Sequence, residues 1–397
     1  DTAQYIAIAA ELKFLVPLLP RNARSLKHHA SPPLEVVDFI KDAESLDDRD
    51  RLKLWHHVWR KIANLITEIP GQNAISSSDV KRLRSQEREF WATHWIVKKA
   101  NSAEPDNSHP PNLLWVPVEI NSPKLSWKDR NTLPAIQAVL EALRKRYHIV
   151  LNHTCEVHVH VGRLDGQPFS LPSLKRIAAL LWLAEPALRL VKDPRSPNYE
   201  HVYTWSSPAR QHSRLARELD NTNCAPVPCL RDLLEEDGLD PAVARYLSSS
   251  GEVQCSKHKQ ALRLIWACPS HLKLGRLMSG EGKAYRRLGF NFSAFGEEDE
   301  RARTNPRTVE CRFLEGTMAD DVVLAWIRIF GAMVEVALDA NGGGDASTER
   351  RFARTVLRLV DENEAATPMG EESFGELMQD LGVEERVYRP VQKMIRR

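Results

Sequence analysis

In Cys155-Glu156-Val157-His158-Val159-His160-Val161-Gly162-Arg163, valines alternate with ionisable residues. Alternate side chains of a β-strand point to opposite faces, so Val157, Val159 and Val161 share one face and His158 and His160 the other. Such a strand is either the floor of a polar cleft or a half-exposed strand whose histidines face water. Two imidazoles at i, i+2 suit a metal or a phosphate, both of which take a ring nitrogen held in place.

The same grammar recurs along the chain. Arg307-Thr308-Val309-Glu310-Cys311-Arg312-Phe313-Leu314 puts Val309, Cys311 and Phe313 on one face and Glu310 and Arg312 on the other. Ile8 to Val16 sets Glu11 beside Lys13, and Leu114 to Pro123 sets Glu119 beside Asn121. Each segment alone reads as an amphipathic strand with a solvated side. Four of them, each with polar residues at i, i+2 between apolar neighbours, argue for one sheet whose polar face is a site.

Size and composition are those of a globular enzyme. The 397 residues can bury a large core and allow two or three domains, and 42% hydrophobic with 27% charged residues is ordinary. A formal charge of +2 gives no electrostatic case for nucleic acid or an anionic membrane. No apolar run reaches bilayer length, and Tyr5 to Ala10 runs into Glu11 and Lys13, which fits a strand better than a signal peptide. The cysteines stand at 155, 224, 229, 255, 268 and 311. Cys155 and Cys311 fall on buried strand faces, where a thiol packs as a small hydrophobe. Cys224 and Cys229 could form a disulfide or half a metal site, but no second pair follows at zinc spacing. Reduced thiols in a cytoplasmic protein are the expectation.

Helical periodicity predicts one helix from Leu34 to Ile69 and another from Ser78 carrying Phe90, Trp91 and Trp95. Further helices are expected over Thr132–Tyr147, Ser173–Val191 (capped by Ser173), Leu230–Glu235, Pro241–Leu247 and Asp320–Leu338. Gln260–Cys268 is either strand or helix. Leu288–Phe295 alternates as a strand, and Asn341–Asp345 is a break before three closing helices. The expected class is α+β, with a catalytic domain over 1–340 interrupted by a helical insertion (34–100) and an irregular one (193–250). A helical extension follows over 346–397.

On one sheet face, Glu11, Glu119, Glu310 and His158 make an oxygen-rich cation site suited to Mg²⁺ or Mn²⁺, ions that share their shell with phosphate. Arg312 beside Glu310 supplies a planar, permanent charge for phosphate. Metals with Arg and Lys around a triphosphate are what phosphoryl transfer needs. Ser279-Gly280-Glu281-Gly282-Lys283 lacks Walker-A spacing and no GxGxxG occurs, so a nucleotide would have to sit on the sheet face.

The blocks AELKFLVP, WVPVEINSPKL, CEVHVHVGR, DPRSPNY, RLGFNFSAF and TVECRFLEGTMAD, in that order from about residue 8 to 335, resemble the fungal amidoligase-like proteins. These belong to the carboxylate–amine ligase superfamily, with glutamine synthetase and glutamate–cysteine ligase. The resemblance implies a curved antiparallel sheet of the glutamine synthetase catalytic type, helices on its outer face, and ATP and metal on the concave one. It implies ATP-dependent activation of a carboxylate as an acyl phosphate, then attack by an amine to give an amide or isopeptide, ADP and phosphate. The substrate would be a small amino compound or a peptide. By position, Glu11, His158 and Glu310 would hold Mg²⁺ (or Mn²⁺), and Glu119 falls where a second metal's carboxylate is expected. Arg312 would contact phosphates, with His160 near nucleotide or substrate. Asn291, Arg195 and Arg163 are candidates for phosphate or carboxylate capture.

One departure stands out: the second glutamate of the family's ExE strand is Lys13. Lys13 either takes the missing ion's electrostatic place in a one-metal enzyme, or joins a site kept two-metal by other acids, or marks a degenerate nucleotide-binding or scaffold protein. A lysine pointing to solvent at a strand end is the plain alternative. The rival enzyme class is an HxH metal-dependent hydrolase or oxygenase. An amidohydrolase barrel would want HxH on its first strand, and a cupin would want Glu where Leu164 and Asp165 stand.

Overall fold

β1 (Ile6–Pro20) is the longest strand, and its alternation decides which way the sheet faces. Ile6, Ile8, Ala10, Leu12, Phe14, Val16 and Leu18 all enter the main hydrophobic core. The intervening Glu11 and Lys13 therefore point to the opposite face. The structure is a computed structural model, and it describes residues 5–23, 31–44, 46–80, 87–199, 206–221, 239–248, 256–282, 285–297, 307–339, 346–365 and 367–395.

The other strands are β2 (Val36–Val37), β3 (Ala74–Ser76), β4 (Trp95–Lys98), β5 (Leu114–Asn121), β6 (Leu125–Ser126), β7 (Glu156–Arg163), β8 (Phe290–Asn291) and β9 (Val309–Glu315). They form one sheet in the order β3-β4-β5-β1-β7-β9-β8, with β2 and β6 also pairing with β1. All neighbours are antiparallel except β3 with β4 and β1 with β2, which are parallel. Helices cover the apolar face. Asp48–Thr67 packs on β3, β4 and β5, Asp320–Asp339 on β7 and β1, and Thr132–Arg146 lies against both helices. Behind them Leu171–Arg189 packs on Asp320–Asp339, and the closing helices Ala346–Glu364, Glu371–Asp380 and Glu385–Ile395 join that layer. The class is α+β, with a large, mostly antiparallel open sheet. No helix among the described residues is long and apolar enough to cross a membrane.

Leu171–Arg189 is almost wholly buried yet carries Glu185. Its carboxylate accepts the backbone N–H groups of Ala209 and Arg210, each at 2.7 Å, which offsets the cost of burying a charge.

Several expectations are corrected. The helix expected from Leu34 begins only at Asp48, capped by Asp47 accepting from Asp50 N at 2.7 Å. Before it, Val36 and Val37 pair with Leu19 and Pro20, since apolar residues next to an open strand edge gain more from pairing than from a solvated turn. Trp95 is in β4, not a helix; its N–H donates to Asn73 O at 2.8 Å and its indole to Gln72 Oε1 at 2.8 Å. Ser170, not Ser173, caps the helix at Leu171. Gln260–Cys268 resolves as helix, Lys257–Trp266. The strand expected over Leu288–Phe295 shrinks to Phe290–Asn291. There Asn291 Oδ1 accepts Ser293 N at 2.9 Å and turns the chain into the short helix Ser293–Gly296. Leu230–Glu235, Asn341–Asp345, Cys224, Cys229 and Cys255 lie outside the described residues. Cys155 and Cys311 are buried free thiols, their pKa values pushed up by burial to about 11 and about 12, which makes them inert.

One irregularity matters for the site. β7 and β9 pair as Val159↔Cys311 and His160↔Glu310, but as Val157↔Leu314 and Glu156↔Glu315 beyond a one-residue shift. Arg312 and Phe313 thus oppose His158 alone, which is a β-bulge. It is held by the Arg312 N–H donating to Gly289 O at 2.8 Å. A Cβ on Gly289 would lie 1.9 Å from Phe313 Cε1, so only glycine fits behind the bulge.

Candidate active site

Cross-strand pairing assembles the site in three transverse rows, because residues paired across a sheet share a face. The first row runs Asn121, Glu11, His158 across β5, β1 and β7. A second runs His160, Glu310, Asn291 across β7, β9 and β8. The third runs Lys98, Glu119, Lys13 across β4, β5 and β1, and Glu156 paired with Glu315 extends it over β7 and β9. Residues as distant in sequence as Glu156 and Glu315 become direct neighbours by register alone.

At the centre, His158 is 0% exposed. Its Nδ1 lies 2.9 Å from Glu11 Oε1 and 2.9 Å from Glu310 Oε1, while Nε2 lies 2.9 Å from Glu156 Oε2. Glu11, His158 and Glu310 offer one ligand atom each, all within 4.8 Å of one another. Ligands about 2.1 Å from an octahedral Mg²⁺ stand about 3 Å apart when adjacent, so this donor spacing and this hard oxygen-rich set fit such an ion. Glu156 behind the ring stands where a carboxylate would fix the tautomer of an imidazole that ligated such an ion.

His160 Nε2 points at the same acids, 3.6 Å from Glu11 Oε2 and 3.8 Å from Glu310 Oε1. That nitrogen is buried with no hydrogen-bond partner, as is Asn121 Oδ1, and both are consistent with a group that the trio would hold. Nδ1 of His160 is 3.2 Å from Thr308 Oγ1. Arg312 lies with Nη1 2.5 Å from Glu310 Oε1 and Nη2 3.8 Å from Glu156 Oε2. Asn291 Nδ2 donates to Glu310 Oε2 at 2.7 Å. Lys13 is 6% exposed and does not face solvent: its Nζ is 2.9 Å from Glu11 Oε1, 3.4 Å from His158 Nδ1 and 3.8 Å from Glu156 Oε2.

Electrostatics follow from packing these charges together. Burial favours the neutral acid in Glu11, but Lys13 and His158 hold it well below the usual carboxylate range. Burial likewise acts on Glu310 and is outweighed by Arg312, His160 and His158. Glu156 is held down to about 2 against burial, chiefly by His158, then Arg312 and Lys13. For His158, burial, Arg312 and Lys13 oppose the charge, yet the ring rises to about 9, with Glu11 favouring its charged form and the Glu156 and Glu310 carboxylates also 2.9 Å from its nitrogens. Its proton thus occupies the place a cation would take.

Not every expected residue joins. Glu119 is buried on the site face but pairs with Lys98, Nζ to Oε1 2.7 Å, not with the trio. Burial and Glu11 push its pKa up against the two lysines. Arg163 is at the far end of β7, forked onto Asp165 at 3.0 and 2.5 Å, and its odd position places it with Val161 on the other face. Arg195 is 76% exposed, bound to Asp193 at 2.9 Å, and lines a cavity of about 340 Å³ with Lys192, Tyr199 and Glu315. Neither arginine reaches the cluster. Conversely, sequence reasoning missed Glu156, Lys98 and Glu315. Glu156 stood two residues before His158 in the same strand, so the alternation that exposed the histidines could have found it. Lys98 was hidden by the helical reading of Trp95, and Glu315 by a bulge that no periodicity shows.

Residues 47–224 match the model of a family described as "Putative amidoligase enzyme". The match includes β5 and β7, with Glu119, His158 and His160, and omits β1 and β9; it covers less than half of the 397 residues. It supports an amidoligase, and with it an enzyme of the ligase type. No curated protein and no solved structure matches the chain.

Proposed function

We propose that the protein is an ATP-dependent carboxylate–amine ligase of the glutamine synthetase-like fold. It would form an amide or isopeptide bond on a small amino compound or peptide through an acyl phosphate. The observation that carries this reading is the convergence of Glu11, His158 and Glu310 from three strands within 4.8 Å, with Arg312 and Lys13 beside them. Two carboxylates and one imidazole would hold Mg²⁺ or Mn²⁺. The ion, when bound, neutralises phosphate charge. Glu156 keeps the His158 ring oriented by accepting from Nε2, and Asn291 orients Glu310 by donating from Nδ2 to its Oε2. Arg312 and Lys13 place a guanidinium and an ammonium beside those acids, where negative charge on a transferring phosphoryl group would develop. An ammonium substrate must shed a proton before it attacks, and His160 Nε2, turned towards the acids without a hydrogen-bond partner, is the base assigned to take it.

The test is ADP release from ATP with pooled carboxylates and amines. Glu310→Ala should abolish it, because one ligand and the anchor of Arg312 go together; release at the wild-type rate would refute the assignment. One observation favours a second reading. The Lys13 ammonium lies among the acidic groups, as it would in a nucleotide binder that no longer turns over. Tight ATP binding without ADP release under every substrate pool would select that reading. An HxH hydrolase centre fits less well, since only His158 of the two histidines belongs to the trio.

A further inference from the structure

The third row alternates in sign. Lys98, Glu119, Lys13 and Glu156 succeed one another across β4, β5, β1 and β7, with contacts of 2.7 Å between Lys98 and Glu119 and 3.8 Å between Lys13 and Glu156. All but Lys98 are buried, and the Lys98 side chain is partly covered. Without the two lysines this part of the face would hold Glu11, Glu119 and the unpartnered Asn121 Oδ1 on adjoining rows of two neighbouring strands. Three hard oxygen donors so placed would invite a second divalent cation. Instead each carboxylate has an ammonium: Lys13 Nζ is 2.9 Å from Glu11 Oε1, and Lys98 Nζ is 2.7 Å from Glu119 Oε1.

We propose that Lys13 and Lys98 take both the space and the charge of a second cation, so that this site binds one divalent ion and no more. The proposal rests on the metal-binding reading of Glu11, His158 and Glu310. The charge comparison is direct. A lysine contributes one positive charge, the same net charge as a glutamate carrying a divalent ion. Lys13 therefore keeps the local field suited to a polyphosphate while removing a donor that a second ion would need. A buried carboxylate must have a compensating partner, and a tethered ammonium supplies it whether or not free metal is present. Lys13 also contacts the ligand set itself, 3.4 Å from His158 Nδ1, so it stands where a neighbouring ion would sit. Lys98 is the less obvious member. It ties up Glu119, a further acid that could have kept the site two-metal despite Lys13.

The experiment is Mn²⁺ binding to the full chain, read by the loss of the free-ion EPR signal, with no nucleotide present. Wild type should bind one Mn²⁺ per chain, and Lys13→Glu/Lys98→Gln should bind two, since a third carboxylate then joins Glu11 and a Glu119 freed of its ammonium. Should that variant fail to fold, Lys13→Gln/Lys98→Gln serves: with both ammonium groups gone, Glu11 and Glu119 should take a second, weaker ion. Two ions on the wild type, or one on every folded variant, would overturn the proposal while leaving the ligase reading intact. No ion on the wild type would overturn the metal reading itself.

Discussion

Glu156→Gln tests whether the buried acid behind His158 works through the ring. Glu156 Oε2 is 2.9 Å from His158 Nε2, and the ring's other nitrogen faces Glu11 and Glu310. Replacing the carboxylate by an amide keeps the volume but weakens the hold on the tautomer and lowers the basicity of Nδ1. Loss of such a partner weakens metal binding by about 10- to 100-fold, about 1.4 to 2.7 kcal/mol. A second effect opposes it. With His158 at about 9, freeing the ring near pH 7 costs about 2.7 kcal/mol in the wild type. Removing an anion beside the ring lowers that cost in the variant. The deficit should therefore be partly masked near pH 7 and fully expressed near pH 9.5, where both rings are neutral. Isothermal titration with Mg²⁺ at the two pH values reads both terms, with Asp165→Asn, at the far end of β7, as the control. Equal affinities for Glu156→Gln and wild type near pH 9.5 would refute the orienting role.

Stability should depend on pH in both directions. The folded-state pKa of His158 is raised to about 9, so its contribution is complete below the unfolded value near 6.5 and is lost as pH rises through 9. The loss is about 3 kcal/mol. Glu156 is depressed to about 2, with Glu11 and Glu310 also lowered, so their contributions are complete above about 4.5 and disappear as pH falls below it. Urea midpoints measured without metal should peak between about pH 5 and 6.5, and a midpoint still rising at pH 9 would contradict the charge assignment. Gly289→Ala should destabilise the protein by about 2 to 4 kcal/mol, because its Cβ would sit 1.9 Å from Phe313 Cε1 behind the bulge. A thermal midpoint within a degree of wild type would mean that the bulge yields without strain.

Alternation made the site strands legible. A two-residue period is a property of the backbone, so the faces of β1, β5, β7 and β9 could be read from sequence with no partner strand in view. Helices with strong periodicity, such as Thr132–Arg146 and Asp320–Asp339, were legible for the same reason. Leu34 to Asp47 and Trp95 were misread because an apolar segment beside an unpaired strand edge is drawn into the sheet, and that edge is a tertiary object.

Taken alone, the sequence determined which side chains share a face, and so that Glu11, His158, His160 and Glu310 belong to polar faces of strands. Tertiary structure decided which faces meet. Register across β4, β5, β1, β7, β9 and β8 set the rows, the bulge at Arg312 brought Glu315 opposite Glu156, and pairing with Lys98 took Glu119 away from the trio. The reason is range. Side-chain alternation is fixed by local covalent geometry, whereas register is chosen by long-range packing and hydrogen bonding that no short window of residues contains.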